Sequence, residues 1–315
     1  MAVFTKLNHS QIKNFLSHYS LGNLEDFSEI VEGIENSNYK IICNSKPYIL
    51  TIFEKRVKEE DLPFFMNLKL YLHNNKFKCP KPLENRGGKI INSIANKNAV
   101  IISFIDGNQI EKPSINECNE VGKMMGHLHT LTMKFNQKRQ NGLDIDEWKR
   151  LFQKCENNET NKFDNLSKDL KDEIDLIEKS WPINLPSGIV HADLFKDNIF
   201  FNNEKITGVI DFYFSCYHFF IYDIAIVIND WCFDKSGSIF KKDFFNAIFE
   251  GYNSIRKIEE SELSSFNLIL RAATVRILIT RLHDYIFHPS DALVVKKDPI
   301  QYYNILKWHQ QNSIY

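Results

Sequence analysis

A change of hydrophobic period near Asp106-Gly107 constrains this chain more than any other feature. Before it, "EDFSEIVEG", "NSNYKIIC" and "KPYILTIFE" alternate apolar and polar residues. That two-residue period reads as half-buried strands joined by short turns. "RGGKIINSI" and "NAVIISFI" add two more strands, the first starting at a Gly-Gly turn. Residues 8–22 read as a helix, with Asn8 and Gln11 in a capping-box pattern and Gly22 able to end it. A second helix is predicted over 58–75, with its proline in the first turns. After Gly107 the apolar spacing becomes helical. Helices are predicted over 115–134, 144–156, 165–180, 217–231, 239–254 and 260–287, with strand-like interruptions at 188–190, 198–202 and 206–210. The expected class is α+β, with a sheet lobe over 1–105 and a mainly helical lobe over 106–315. A cleft between such lobes is the default place for a small molecule.

Composition narrows the function. The chain has 315 residues and is 43% hydrophobic, enough for a sizeable core. Charged residues make up 25% and the formal net charge is −1, without the clustered excess of Lys and Arg that nucleic-acid binding needs. The N-terminal "MAVFTKLNHSQIKNF" has no basic region followed by an apolar run, so no signal peptide is expected. The most apolar stretch, "FFIYDIAIVI", is too short to span a bilayer and contains Asp223, so no membrane partner is expected. Six cysteines lie far apart and form no CxxC pair, which fits reduced thiols in a cytoplasmic protein.

The chemistry concentrates in "HADLFKDNIF", residues 191–200, between two apolar strand-like segments. Residues 198–202 and 206–211 flank "NEK", a plausible hairpin turn. In that register Asn198 falls opposite or nearly opposite Asp211, and cross-strand Cβ atoms lie about 5 Å apart. An amide oxygen and a carboxylate so placed suit a hard cation such as Mg²⁺, which takes oxygen ligands at about 2.1 Å. Asp193, in the loop entering the hairpin, can accept a proton from a substrate hydroxyl. Phosphoryl transfer divides the work in this way, one group orienting the nucleophile while cations neutralise the phosphates.

"H191-A-D193-L-F-K-D-N198" resembles the H-x-D-x-x-x-x-N catalytic loop of protein-kinase-like phosphotransferases, and "V209-I210-D211" resembles their metal-binding Asp. The Ala after His, and "ID" in place of D-F-G, resemble the aminoglycoside phosphotransferase and choline kinase branch, as do "VGKMMGHLHTL" and "YDIAI". The resemblance implies a protein-kinase-like two-lobe fold, with Asp193 as catalytic base, His191 orienting the loop, Asn198 and Asp211 as magnesium ligands, and ATP as cofactor.

No G-x-x-x-x-G-K-[ST] is present, so a P-loop is excluded. The candidate phosphate-covering turn is "EGIENSNYKI", where Gly33, Asn36, Ser37 and Asn38 offer turn conformations and donors. By the family layout, adenine would sit against the lobe connection at Ser103, Phe104 and Ile105. Kinase-like enzymes usually carry a Lys on the third strand where this chain has Thr51. Lys55 and Arg56 lie roughly 13–17 Å further along an extended strand. The following helix has no Glu in its middle either, so both halves of the usual ion pair are missing.

Over essentially the whole chain, "ILTIFEKRV", "IVHADLFKDNIFF", "GVIDFYFSC", "RILITRL" and "KDPIQY" resemble the bacterial homoserine kinases of this branch. That implies transfer of the ATP γ-phosphate to L-homoserine, in threonine biosynthesis, by a monomer or homodimer. A zwitterionic substrate needs a cation and an acceptor. The candidates are Arg276 and Arg281 in "RAATVRILITRLHDY", with Asp230 for the ammonium and Tyr213 lining the pocket. Asp284 or Asp223 serves equally as a structural partner for the arginines. Kinases of choline, methylthioribose, hydroxylysine or aminoglycosides, and a non-catalytic nucleotide-binding pseudokinase, stand as alternatives.

Overall fold

The computed structural model describes residues 4–31, 36–54, 57–156, 164–287 and 297–314. They form two compact units. The first gathers the described residues up to Gly107 together with Thr207–Tyr213, and the second gathers the rest.

The first unit is built on an antiparallel five-stranded sheet of β1 (Leu24–Ile30), β2 (Asn36–Cys43), β3 (Lys46–Phe53), β4 (Asn92–Ile94) and β5 (Lys97–Ser103), in the order β1-β2-β3-β5-β4. Two-residue turns set its register. Asn44-Ser45 and Ala95-Asn96 both have positive φ, the conformation that matches strand twist in tight hairpins. Cys43 therefore pairs with Lys46, and Ile94 with Lys97. Strand β2 buries alternate residues, so Tyr39 and Ile41 join Leu50, Ile52, Ala99 and Ile101 in one core. Helix α1 (His9–Leu16) starts at the expected capping box of Asn8 and Gln11 and adds Ile12, Phe15 and Leu16 to that core, each contributing about 1.5–3 kcal/mol by burial. It stops at Leu16, short of Gly22. Gly22 instead serves the bend into β1, with φ of 91° and no room for a Cβ beside Asn44. Helix α2 (Leu62–Asn74) follows a 3-10 turn at Glu59–Asp61 and buries Phe64, Phe65, Met66, Leu68, Leu72 and, unusually, Lys69.

The second unit contains α3 (Ile115–Thr132), α4 (Ile145–Glu156), α5 (Asp164–Lys179), β6 (Ser187–Val190), β7 (Ile199–Asn202), the start of β8 (Lys205–Val209), β9 (Cys216–Phe219), α6 (Phe220–Trp231), α7 (Lys242–Ile255), α8 (Glu260–Ser264), α9 (Phe266–Phe287) and α10 (Ile300–Gln311). One core of this unit packs α4, α5 and α10 around α9, with Trp148, Leu170, Leu278, Tyr302 and Leu306 buried. Helices α3 and α7 approach closely through glycines. A Cβ on Gly122 would sit 2.1 Å from Ile248 O, and one on Gly251 would sit 2.2 Å from Asn119 O.

Three sequence expectations change here. Residues 217–219 do not begin a helix but belong to β9, whose backbone pairs with β6. The helix expected over 260–287 is two helices broken at Ser265. Helix α10 had not been expected at all. All six cysteines are free and buried, and burial pushes the thiols of Cys79, Cys118 and Cys216 up to about 12. Among the described residues no helix is long and apolar enough to cross a membrane.

Candidate active site

In the second unit, "HADLFKDN" forms a tight loop between β6 and β7. It turns on Ala192, which has φ of 63°, and closes in a 3-10 turn at Lys196–Asn198. Asn198 therefore precedes the strand instead of lying in it. The hairpin turn is Asn203-Glu204, again with positive φ at both positions. Asp211 likewise lies beyond the end of β8, at φ 63°. The register expected to set Asn198 opposite Asp211 within paired strands is thus replaced by two residues that both stand outside the strands.

Asp193 is held from three directions. Asn198 Nδ2 donates to its backbone oxygen at 2.8 Å and to its Oδ2 at 3.2 Å. Arg276, on α9, brings both terminal nitrogens to 3.3 Å from its Oδ1. The Phe195 amide donates to the Asp193 carbonyl at 2.9 Å, tightening the turn. The amide nitrogen of Asn198 is thus committed to Asp193, and its carboxamide oxygen is the atom with the chemistry to meet a cation. Arg276 also packs over Phe214, 5.1 Å from the ring centroid.

The strained loop is pinned from beneath by Asp223, in the first turn of α6. Its two oxygens accept the amides of His191 and Ala192, each at 2.7 Å. His129 Nε2 lies 3.1 Å from Oδ2, and His129 Nδ1 lies 2.7 Å from Tyr252 Oη. Arg256 donates to the same Tyr252 oxygen at 3.0 Å and forms a two-armed pair with Glu262 at 3.1 and 2.9 Å. This buried chain fixes the proton positions: Tyr252 donates to Nδ1, so Nε2 carries the hydrogen that Asp223 accepts. Burial works to raise the Asp223 carboxyl, but the hydrogen bonds it accepts, from His129 first and from the His191 amide, outweigh it and hold the group below the usual carboxylate range. Burial keeps His129 neutral by lowering its imidazole.

The other expected substrate residues have definite places. Asp230 accepts the Lys196 amide at 2.9 Å and its backbone oxygen accepts Lys196 Nζ, so it braces the far end of the 191–198 loop. Arg281 donates to Gln301 at 2.8 Å and stacks over Tyr302 on α10. Arg276 thus pairs with Asp193 and Arg281 with Gln301, while Arg271 is taken by Glu173 at 2.6 Å. Asp197 faces Gln109 and Lys297 at the surface.

In the first unit, Asn36, Ser37 and Asn38 lie on β2 and not in the turn before it. Ser37 is buried; its hydroxyl accepts the Thr5 amide and donates to Glu54 at 2.6 Å. Asn38 Oδ1 accepts Thr51 Oγ1 at 2.8 Å. Ser103 bonds the Lys81 backbone, Phe104 lies under Lys40, and Ile105 fills the space beside Gly208. Gly33, Lys55 and Arg56 lie outside the described residues. Tyr213 is packed inside this unit, edge-on to Phe53 and Phe65 and beneath Lys69.

Spacing alone does not show Asp223 and His129 as the supports of this loop, nor Lys69 as a buried cation. Asp223 was visible as the lone charge in an apolar run, and that isolation is the signal of a buried anchor. Neither His129 nor Lys69 announces its burial by spacing.

A carboxylate presented on a braced loop, beside an arginine and an amide, is an arrangement that suits a phosphotransferase. The family model described as "Phosphotransferase enzyme family" matches residues 26–258, and the chain belongs to that family. Its relatives sharpen this. It is 40% identical over 310 residues to a homoserine kinase of Agrobacterium fabrum, covering 98% of this chain and 96% of that one. It is 39% identical over 311 residues to a homoserine kinase of Rhizobium etli, covering 99% and 97%. Among solved structures, an amicoumacin kinase in complex with AMP-PNP, Ca²⁺ and Ami superposes with a TM-score of 0.73 at 17% identity, over 97% of this chain and 92% of that one.

Proposed function

We infer that this protein is an ATP-dependent homoserine kinase. The observation that carries the inference is the full-length identity to homoserine kinases, with 98% of the chain aligned. The reaction forms a bond between the side-chain oxygen of L-homoserine and the γ-phosphorus of ATP and breaks the bond from that phosphorus to the β–γ bridging oxygen. The hydroxyl proton passes to Asp193. The product is O-phospho-L-homoserine, and the step belongs to threonine biosynthesis in the cytoplasm.

The residues of each unit suit these roles. Asp193 is the base; Asn198 and Arg276 orient its two oxygens, leaving a fixed carboxylate for the nucleophile. The oxygens of Asn198 and Asp211 are our assigned magnesium ligands, hard donors of the kind that hold this ion alongside substrate phosphates. Magnesium, when bound, neutralises charge on the phosphates. Asp230, Arg276, Arg281 and Tyr213 were the candidate substrate contacts. Arg281 keeps that assignment, as a cation for the substrate carboxylate, whereas Asp230 and Arg276 serve the loop and Tyr213 the first unit's interior.

The test is release of ADP across a panel of hydroxyl-bearing amino acids and amines. Homoserine should be preferred, and Asp193→Asn should reduce kcat by about 10²–10⁴-fold while the chain still folds, as circular dichroism would read. Turnover of choline or an aminoglycoside without turnover of homoserine would sink the assignment.

A further inference from the structure

Helix α9 carries three arginines, at 271, 276 and 281. Two of them meet carboxylates. Arg271 bonds Glu173 at 2.6 Å, and Arg276 bonds Asp193 at 3.3 Å. Arg281 follows Arg276 by about 7.5 Å along the helix axis. Among the described residues its partners carry no charge. One terminal nitrogen donates to the Gln301 side-chain oxygen at 2.8 Å, and the guanidinium carbon lies 4.3 Å from the centroid of the Tyr302 ring. A guanidinium offers several N–H donors in a fixed fork, and this one gives a single hydrogen bond, to a neutral amide. A ring face attracts the cation without cancelling its charge. Arg281 is half-buried, so its remaining donors are not sealed from a ligand.

The neutrality of Gln301 runs against local physics. It stands in the first turn of α10, which holds no acidic residue. The helix dipole favours a glutamate there, and a glutamate would also pair with Arg281 by charge. Glutamine and glutamate have nearly the same shape, so space does not decide between them. A residue that departs from such local preferences marks a functional position. The amide is also firmly placed. In the turn after α6, Asp234 accepts the Ser238 and Ile239 amides at 3.0 Å and the Ser236 hydroxyl at 2.7 Å. That turn presses on α10: a Cβ on Gly237 would lie 2.1 Å from the Gln301 carbonyl oxygen, and Asn304 donates to Ser236 O at 2.9 Å. Tyr302 is fully buried.

We propose that Gln301 and Tyr302 are positioning residues for Arg281, and that their lack of charge sets substrate specificity. They hold the guanidinium oriented and uncompensated, so that its charge is met only by an alcohol that carries a carboxylate. The proposal rests on the reading of Arg281 as the cation for the substrate carboxylate. It names the class accepted, hydroxy-amino acids, and the class refused, amino alcohols, which bring a like charge and no carboxylate.

Steady-state ADP release is measured with homoserine and with 3-aminopropan-1-ol, the same alcohol without its carboxylate. Wild type should prefer homoserine in kcat/KM by about 10–100-fold, the worth of a charged hydrogen bond. Equal kcat/KM for the two overturns the proposal. Gln301→Glu gives Arg281 a carboxylate of its own. The homoserine KM should then rise by about 10–100-fold, with kcat falling far less. Activity on 3-aminopropan-1-ol and the melting temperature should hold or rise. A merely structural Gln301 predicts otherwise, since a stronger pair would leave the homoserine KM alone, and an unchanged KM overturns the proposal. Should that variant not fold, Gln301→Met removes the acceptor at similar length. It should raise the homoserine KM by about 2–10-fold, and an unchanged KM overturns the proposal equally. Arg281→Gln is the control for the underlying reading. If it keeps the preference for homoserine, Arg281 is not the carboxylate's partner. If it loses the preference while Gln301→Glu keeps it, only the role of Gln301 and Tyr302 fails. Wild type that turns over no homoserine refutes the kinase assignment itself.

Discussion

Replacing Asp223 by Asn tests whether the buried chain beneath the 191–198 loop governs activity. The change is nearly isosteric, so its effect is electrostatic. Asp223 accepts three hydrogen bonds, from the amides of His191 and Ala192 and from His129. Bonds to a charged acceptor contribute about 1.5–3 kcal/mol each. An amide has one accepting oxygen, so it can keep one loop amide and must turn its NH₂ toward the other donor. Losing one to two such bonds in a dry interior, and stranding a donor, costs roughly 3–5 kcal/mol. Part of that cost can be escaped if the loop relaxes from its left-handed kink at Ala192, which moves Asp193. We therefore expect urea unfolding to show a loss of about 3 kcal/mol, and kcat to fall by about 100-fold, since each 1.36 kcal/mol is tenfold in rate. The acid limb should change too. The folded carboxyl is held below its ordinary value of 3.8, so the unfolded chain takes up that proton first as pH falls. Its contribution is full above about pH 4 and disappears as pH falls through the folded value, and Asp223→Asn removes that pH dependence. Hydrogen exchange at the His191 and Ala192 amides gives the local readout. If Asp223→Asn unfolds within 1 kcal/mol of wild type, by the accuracy of such measurements, and exchange at both amides is unchanged, the anchoring argument is wrong.

Three further outcomes follow from packing and burial. Gly122→Ala should lower stability by about 1–3 kcal/mol or more in denaturant titration, because the added methyl meets Ile248 O across the α3–α7 contact. His309 is buried, bonded to Asn229 at 2.8 Å, and pushed by burial down to about 3. It stays neutral when folded and gains a proton on unfolding below about pH 6.5, so stability should fall as pH drops from there toward 3, by up to about 1.4 kcal/mol per pH unit; His309→Gln should flatten that slope. Tyr39→Phe should cost about 1–2 kcal/mol by thermal unfolding, since its hydroxyl accepts the Leu7 amide and donates to Thr5 O, tying the segment before α1 to the sheet.

The sheet half was legible because its physics is local. The alternation in β2, the two-residue turns and the Asn8 cap are decided by neighbours in sequence. The stretch 191–198 was legible as chemistry because four polar groups do not sit between buried strands without use. What could not be seen depends on distant partners. Residues 217–219 carry aromatic residues that suit a helix or a strand, and pairing with β6 decides for the strand. Helix α10 has too mixed a pattern to stand out until α9 offers its apolar face. Asp230 carried the right charge for an ammonium, but its place at the end of α6 delivers it to Lys196. In "PFFMNLKLYLHN" Lys69 reads as an ordinary surface lysine, because one charge within a broad apolar face does not say whether its ammonium reaches water.

The buried cysteines have a practical meaning. Each native thiol is shielded from solvent, and those of Cys79, Cys118 and Cys216 are held protonated up to about 12. Thiolate, the form that reacts with maleimides and oxidants, is scarce on this molecule at neutral pH. One cysteine introduced at an exposed position such as Ile183, which is 80% exposed, would therefore carry a fluorescent or spin label selectively, with all six natural residues left in place.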